Sequence, residues 1–357
     1  MSMEQLAATL SSLYGSYGYS HYTMSKFEEY ELYLRNKDFL LSDRVLTFTD
    51  TDGKLMALKP DVTLSIIKNT DGTDGGIHKV YYRENVYRPG KSDQGFREIM
   101  QVGLECMGAV DSYCILEVLL LAVKSLRAVS HSCVLDISHM GLLSGLLDKC
   151  GLTGAARAAA LKAIGSKNAH ELRRTCEAAG APYEELAQVA MLSGSVGEVM
   201  PQLERIFGGT QDFAEFQRLL ASLDGMGVDC VNVDFSVVND MRYYNGIVFR
   251  GFVEGVPEGV LSGGQYDGLM ARMNRTGKAI GFALYPDLLE RLLLPEQTAA
   301  PDAVLLYDDT ADLCTLANAV ESFTQQGITV SAQPADQPPV FRGTVYQLEG
   351  NEVKCLG

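Results

Sequence analysis

The sequence predicts an α+β fold made of paired strands, a long block of helices and a small α/β unit near its carboxyl end. Residues 80–88 and 97–106 read as two strands, and the loop between them is rich in Pro, Gly, Ser and Asp, which is typical of a hairpin. Residues 141–225 are rich in Ala and Leu with almost no β-branched alternation, which is typical of helices. From residue 301 the patterns follow the order strand, helix, strand.

The elements before the long hairpin are short. Apolar residues at helical spacing predict an amphipathic helix over residues 3–18. An Asp-Gly turn predicts a smaller hairpin within residues 47–58. Two more helices are expected, a short one at 63–68 and a longer one at 111–129.

The strand at 97–106 carries the most informative pattern. Arg97, Gln101 and Glu105 fall on one face, and the other face is apolar. An apolar back and a polar front describe a sheet that packs on a core and presents a guanidinium, an amide and a carboxylate to something else. A solvated sheet face would give the same pattern, so the strand alone leaves both interpretations open.

After the helical block, strand character returns in three segments, followed by one short helix: 228–238, 247–253, 259–266 and 286–294. We therefore expect a large domain over residues 1–295, with a helical insertion at about 141–225, and a short α/β appendage over residues 301–357.

Composition excludes several classes of function. The net charge of −15, without a run of Lys or Arg, argues against nucleic acid as a partner. No apolar run approaches the roughly 18 residues of a membrane helix, and the first residues have no secretory core, so we expect a cytoplasmic protein without a membrane partner. The eight cysteines form no CxxC motif, and the five histidines are scattered. We expect reduced thiols and neither a metal nor another cofactor.

The order of the segments resembles the catalytic domain of class II aminoacyl-tRNA synthetases, and their histidyl branch in particular. The motif-bearing segments are TFTDTDGKLMALKPDVT at 47–63, Tyr87-Arg88 with FREIMQVGLECMG at 96–108, VNDMRYYNGIVF at 238–249, and LSGGQYDGL with AIGFAL at 261–284. They look like the family's first strand pair, motif 2, the histidine-specific loop and the approach to motif 3. This resemblance implies a core built on an antiparallel sheet flanked by helices.

The resemblance also implies roles for individual residues. Asp61 and Thr63 stand where the family contacts the amino group of histidine, and Arg88 would face a carboxylate or phosphate. The implied histidine-binding residues are Asp61, Thr63, Arg88, Gln101, Glu105, Tyr243 and Tyr244.

Local structural roles compete with these implied roles. Asp61 could simply cap the helix that follows it. Adjacent strand residues point to opposite faces, so only one of the two tyrosines is expected to reach a pocket. Tyr244-Asn245-Gly246 is also a turn signal, and Gly263-Gly264 could mark a bulge or a close backbone approach instead of a ligand site.

Three departures from the synthetase pattern concern ATP chemistry. Asn239 stands where the histidine-specific loop opens with an arginine, Leu288 stands where motif 3 supplies one, and Gly95 lies near the place of the second motif 2 arginine. Adenylate formation needs fixed positive groups, and losing one such donor typically costs about 10²–10³ in rate. We therefore expect that activation chemistry has been lost.

The chain combines a synthetase-like core that has these losses with an acidic net charge and a tail too short for the family's anticodon-binding domain. In this combination it resembles the regulatory subunits of ATP phosphoribosyltransferase. That resemblance implies a non-catalytic chain that activates a separate short catalytic subunit, mediates histidine feedback in the first step of histidine biosynthesis, and forms a homodimer or larger assembly. The alternatives are an amino-acid-activating ligase that loads a carrier other than tRNA, and an interaction module without a ligand.

Overall fold

The structure is a computed structural model that describes residues 2–40, 44–70, 75–90, 95–238, 244–290, 292, 301–336, 343–350 and 352–356. It divides into two compact units, Met1–Leu294 and Pro295–Gly357.

The large unit contains twelve strands and eleven α-helices within the described residues. Its strands are β1 Ser20–His21, β2 Phe27–Glu29, β3 Thr47–Thr49, β4 Leu55–Leu58, β5 Ile77–Pro89, β6 Phe96–Gly108, β7 Cys133–His139, β8 Ser193–Ser195, β9 Val231–Asp234, β10 Ile247–Val253, β11 Leu261–Gln265 and β12 Lys278–Leu284. Its helices are α1 Met3–Ser16, α2 Tyr30–Arg35, α3 Thr63–Asn69, α4 Ser112–Val129, α5 Met140–Lys149, α6 Gly154–Gly165, α7 Ala169–Ala179, α8 Glu184–Met191, α9 Val196–Phe207, α10 Gln211–Gly225 and α11 Asp267–Arg272, with 3₁₀ turns at Lys37–Phe39 and Pro286–Leu289.

Nine strands form one sheet in the order β1-β5-β6-β12-β11-β10-β7-β9-β8. The six strands from β5 to β7 in this order are antiparallel, as expected, whereas β1 runs parallel to β5 and β9 runs parallel to β7. The sheet is therefore mixed at its two ends. Strands β2, β4 and β3 form a separate three-stranded sheet.

Several boundaries differ from the sequence predictions. The strand expected at 228–238 is only Val231–Asp234, because the Asp234 carboxylate accepts a hydrogen bond from the Ser236 N–H at 2.8 Å and turns the chain. Of the helix expected at 286–294, the described part is one 3₁₀ turn, Pro286–Leu289. Strand β7 was not predicted.

The two faces of the sheet differ in what covers them. The back face packs on α1 and α4, and Val102, Leu104 and Cys106 of β6 are fully buried there. The front face carries Gln101 and Glu105, which are 4% and 2% exposed. At Gln101 and Glu105 the interpretation as a solvated surface is therefore wrong, whereas Arg97, the third polar residue of this face, is exposed.

Helices α5–α10, the helical block (Met140–Gly225), lie between β7 and β9 in the chain. Strand β8 interrupts the block and pairs with β9 at the end of the large sheet. The block is thereby attached to the sheet at both of its ends and through β8.

The small unit contains β13 Ala303–Tyr307, α12 Leu313–Gln325, β14 Val330–Pro334, β15 Thr344–Glu349 and β16 Glu352–Cys355. Its sheet has the order β14-β13-β15-β16, and only the last pair is antiparallel. Phe323 of α12 packs on Tyr346 of β15 with ring centroids 4.8 Å apart.

A buried ion pair supports the front of the sheet and gives a first prediction. Lys59 is 1% exposed and binds the Glu84 carboxylate, which also accepts from the Met24 N–H at 3.2 Å. Lys59→Met leaves this carboxylate buried without its cation, and we expect the free energy of unfolding in urea to fall by about 2 kcal/mol. Lys149→Met, which breaks an exposed ion pair with Glu185, is the control and should cost less than about 1 kcal/mol. Equal losses in the two variants would contradict a structural role for the buried pair.

Candidate functional site

A cavity of about 1470 Å³ opens over the front face of the sheet. Its wall includes side chains from β5, β6, β10 and β11, from the start of α3, and from the 3₁₀ turn Pro286–Leu289. Six of the seven residues singled out in the sequence line this one cavity: Asp61, Thr63, Arg88, Gln101, Glu105 and Tyr244. The seventh, Tyr243, lies outside the described residues, as does Asn239.

Glu105 is the most constrained group in the cavity. The Thr63 hydroxyl donates to its Oε1 at 2.8 Å, and the Tyr266 hydroxyl donates to its Oε2 at 2.5 Å. Burial raises the pKa of Glu105 to about 8; the two hydroxyl donors lower it, and the nearby Asp61 charge raises it further. The carboxyl is therefore mostly protonated at pH 7 and can donate a hydrogen bond, whereas its ionised form can accept a proton from a ligand.

Glycines make room for this carboxyl on the neighbouring strands. Glu105 lies directly opposite Gly281 of β12, which lies opposite Gly264 of β11. A Cβ at Gly281 would be 1.8 Å from Glu105 Oε2 and 2.5 Å from the Leu104 carbonyl oxygen. At Gly264 it would be 2.6 Å from Tyr244 Cδ1, so the tyrosine ring rests on this glycine. Because these positions carry no side chain, they leave room for the Glu105 carboxyl and the Tyr244 ring.

Asp61 and Arg88 form the charged side of the cavity. Asp61 Oδ1 accepts from the Leu64 N–H at 2.9 Å, which confirms its capping role at the start of α3. Its other oxygen is 3.9 Å from Arg88 Nη2, and Arg88 Nε donates to the Pro60 carbonyl at 2.8 Å. Burial raises the pKa of Asp61, although Arg88 and the backbone donors oppose this shift. Capping occupies one carboxylate oxygen, so it is compatible with ligand contact at the other.

Sequence reasoning missed two tyrosines of the site. Tyr266 is 2% exposed and its hydroxyl donates to Glu105, and it directly follows β11, two residues after Gly264. Tyr82 of β5 is 2% exposed and lies opposite Gly103, where an added Cβ would be 2.6 Å from its hydroxyl oxygen. The hairpin register would have identified Tyr82, because residues opposite each other in an antiparallel pair share a face.

The outer part of the cavity lacks a guanidinium where motif 3 would supply one. Leu288 lines the wall there, and next to it the Tyr285 hydroxyl lies 2.9 Å from the Ser262 hydroxyl. The carboxylate of Asp287 accepts from the Met100 N–H at 3.0 Å. Arg97 and Arg250 also line the cavity, but both are exposed. Apart from these two exposed arginines, this part of the wall offers hydroxyls, a leucine and a carboxylate, which stabilise developing phosphate charge poorly.

The described residues hold no cluster of three or more His, Cys, Asp or Glu side chains arranged for a metal ion. None of their helices combines the length and apolar character needed to span a bilayer.

Several known proteins are similar to this chain in sequence or in fold. The family model of histidyl-tRNA synthetase matches residues 1–289. An ATP phosphoribosyltransferase regulatory subunit from Synechococcus sp. (strain JA-3-3Ab) is 31% identical over 309 residues, covering 82% of this chain and 72% of the relative. The chain is similar in fold to an ATP phosphoribosyltransferase regulatory subunit/histidyl-tRNA synthetase from Bacillus halodurans C, with a TM-score of 0.80, 22% identity, and coverage of 94% and 89% of the two chains.

A second solved structure of similar fold is a chain of the ATP phosphoribosyl transferase (HisG:HisZ) complex from Thermotoga maritima, with a TM-score of 0.63, 19% identity, and coverage of 79% of this chain and 96% of that one. The family match and the identity over most of the sequence confirm the resemblance inferred from the motifs. The chain belongs to the histidyl-tRNA synthetase-like family, as one of its ATP phosphoribosyltransferase regulatory subunits.

Proposed function

We propose that this chain binds histidine in the inner part of the cavity and sets the activity of a separate, short ATP phosphoribosyltransferase subunit in the first step of histidine biosynthesis. The proposal includes a cytoplasmic location, a homodimer or larger assembly, and no nucleic-acid partner. It also includes our domain assignment, a synthetase-like domain over residues 1–295 with the helical block as an insertion, and a separate appendage over 301–357.

The charges of the cavity fit the groups of free histidine. The Asp61 carboxylate can pair with the α-amino group, and the Arg88 guanidinium, 3.9 Å from Asp61, can pair with the α-carboxylate. The buried carboxyl of Glu105 remains for the imidazole, whose ordinary pKa is close to neutral. These three pairings satisfy every charged group of the ligand.

The observation that carries the proposal is the contrast between the two parts of the cavity. In the amino-acid part, six of the seven expected residues line one cavity, and Glu105 accepts from two hydroxyl donors. The phosphate part has Leu288 where catalysis needs a cation. A chain that binds histidine but cannot activate it matches a regulatory subunit better than a ligase.

Calorimetric titration of the purified chain with histidine, and separately with ATP, tests this proposal. We expect histidine to bind and ATP not to bind. Histidinol, which lacks the α-carboxylate, should bind at least about tenfold more weakly if Arg88 holds that group. Binding of ATP together with pyrophosphate exchange would support the ligase instead.

Histidine affinity should depend on pH with a maximum between about 6.5 and 8. In this range the imidazole of free histidine is neutral and Glu105 of the free chain is protonated. The complex shares that one proton between the two groups, so binding neither takes up a proton from solvent nor releases one. Above about pH 8 the free carboxyl is ionised and binding must take up a proton, whereas below about 6.5 the free imidazole is protonated and binding must release one. Affinity should therefore fall by up to tenfold per pH unit on either side. Titrations at five pH values test this, and a flat profile from pH 6 to 9 would rule out the Glu105–imidazole pairing.

A further inference from the structure

The segment that contains Tyr244 and Gly246 is hydrogen-bonded directly to the helical block. Tyr244 rests on Gly264, and two residues later the Gly246 carbonyl accepts from the N–H of Met140, the first residue of α5, at 2.7 Å. His139 caps the same helix, because its Nδ1 accepts from the Leu142 N–H at 3.2 Å. Burial lowers the pKa of His139 to about 4, which keeps the ring neutral and able to accept.

A second contact joins the block to the chain where it leaves β9. Lys167, in the turn between α6 and α7, places its ammonium 2.7 Å from Asp234 Oδ2. The same carboxylate oxygen accepts from the Ser193 hydroxyl of β8 at 3.0 Å, and Asp234 Oδ1 accepts from the Ser236 N–H. Asp234 is 6% exposed, whereas the Lys167 side chain is 37% exposed, so only the carboxylate side of this ion pair is shielded from solvent.

Lys167 is held in an unfavourable backbone conformation at this contact. Its φ is +50°, in the left-handed region where residues with a side chain are uncommon. Such a conformation typically costs about 1 kcal/mol or more and persists when surrounding contacts impose it. Backbone hydrogen bonds that end α6 hold this conformation, from the Lys167 N–H to the Ile164 carbonyl at 2.9 Å and from the Asn168 N–H to the Ala163 carbonyl at 2.8 Å. The turn therefore presents the Lys167 ammonium to Asp234 from a fixed backbone.

We propose that Lys167 and Asp234, together with the Met140–Gly246 hydrogen bond, couple the histidine pocket to the helical block. Ligand binding and the packing of the block against the sheet then stabilise each other. This inference rests on the proposed function. Lys167 and Asp234 are positioning residues, since neither lines the cavity. Coupling of this kind is reciprocal. If histidine binding stabilises the packing of the block by a given factor, a variant that loses this packing must bind histidine more weakly by the same factor.

Hydrogen exchange of the full-length chain, with and without saturating histidine, tests the coupling. We expect histidine to slow exchange at least about threefold in the peptide containing the Met140 amide and in the peptide spanning the turn at Lys167. The wild-type measurement does not depend on whether any variant folds. Histidine binding with no change in these peptides would overturn the coupling and leave the proposed function standing. No histidine binding at all would overturn both.

The variant Lys167→Met gives a second test of the coupling. We expect it to raise the Kd for histidine about 5–10-fold and to abolish the protection of both peptides. Lys149→Met removes the exposed pair with Glu185 in the same block and should behave as wild type. A loss confined to global stability in urea, with Kd unchanged, would show that Lys167 is merely structural and overturn its role in coupling.

Discussion

Glu105→Gln is expected to weaken histidine binding about 100-fold and, at the same time, to make the chain more stable. The amide has nearly the same shape but cannot exchange a proton with an imidazole. Removing a buried, charge-assisted hydrogen bond to a ligand costs about 2–3 kcal/mol, which corresponds to this loss of affinity.

The gain in stability follows from the raised pKa of Glu105. Its pKa is about 8 in the folded chain and near 4.5 in the unfolded one, so the folded state prefers the protonated form. The contribution of this group to stability is complete below about pH 4.5, is lost as pH rises towards 8, and is constant above that. Glutamine does not ionise, so the variant should gain about 1–3 kcal/mol at pH 7 and above, and little at pH 4.5.

Urea unfolding at several pH values and titration with histidine measure the two effects in the same variant. Glu254→Gln, at an exposed position outside the cavity, is the matched control and should leave both quantities unchanged. A variant that loses stability and keeps its affinity would show that Glu105 is a structural residue.

Gly281→Ala is expected to disrupt both the fold and the pocket. The added methyl would meet the Leu104 carbonyl oxygen at 2.5 Å as well as Glu105 Oε2 at 1.8 Å, and the carbonyl belongs to the neighbouring strand and cannot rotate away. Strand displacement of this kind should cost about 3 kcal/mol or more. Histidine binding should fall below detection, because the Glu105 carboxyl must leave its place between Thr63 and Tyr266.

Gly145→Ala provides the control for that substitution. Gly145 lies in α5, is exposed, and has no atom within 4 Å of an added Cβ. Alanine there should stabilise the chain by about 0.5–1 kcal/mol through its higher helix propensity. Thermal unfolding of both variants compares them directly. A Gly281→Ala chain as stable as wild type would contradict the close packing at the floor of the cavity.

The sequence predicted the site better than it predicted the edges of the fold. Alternation in 97–106 placed Gln101 and Glu105 on one face because side-chain direction in a strand depends only on local geometry. Their burial could not be predicted in the same way, since what covers Glu105 includes Thr63 of α3 and Tyr266, which are distant in sequence. The raised pKa of Glu105 depends on those tertiary contacts.

Strand β7 and the short strand β9 show the same limit. In β7 the polar residues Asp136 and Ser138 alternate with Leu135 and Ile137, but the segment is short and lies between two strong helix signals. In β9 the apolar pattern continues past Asp234, and a side-chain hydrogen bond to the backbone ends the strand. Such a local hydrogen bond is decided by rotamer and packing, which the residue pattern does not specify.

The activity of the assembled phosphoribosyltransferase, measured against histidine concentration, tests the central claim most directly. The assay compares complexes built with the wild-type chain and with the Glu105→Gln chain. We predict that histidine inhibits the wild-type complex, that the concentration required rises about 100-fold with the variant, and that activity without histidine is the same in both. Equal inhibition of the two complexes would contradict the account, because the effector would then act outside the cavity that contains Glu105.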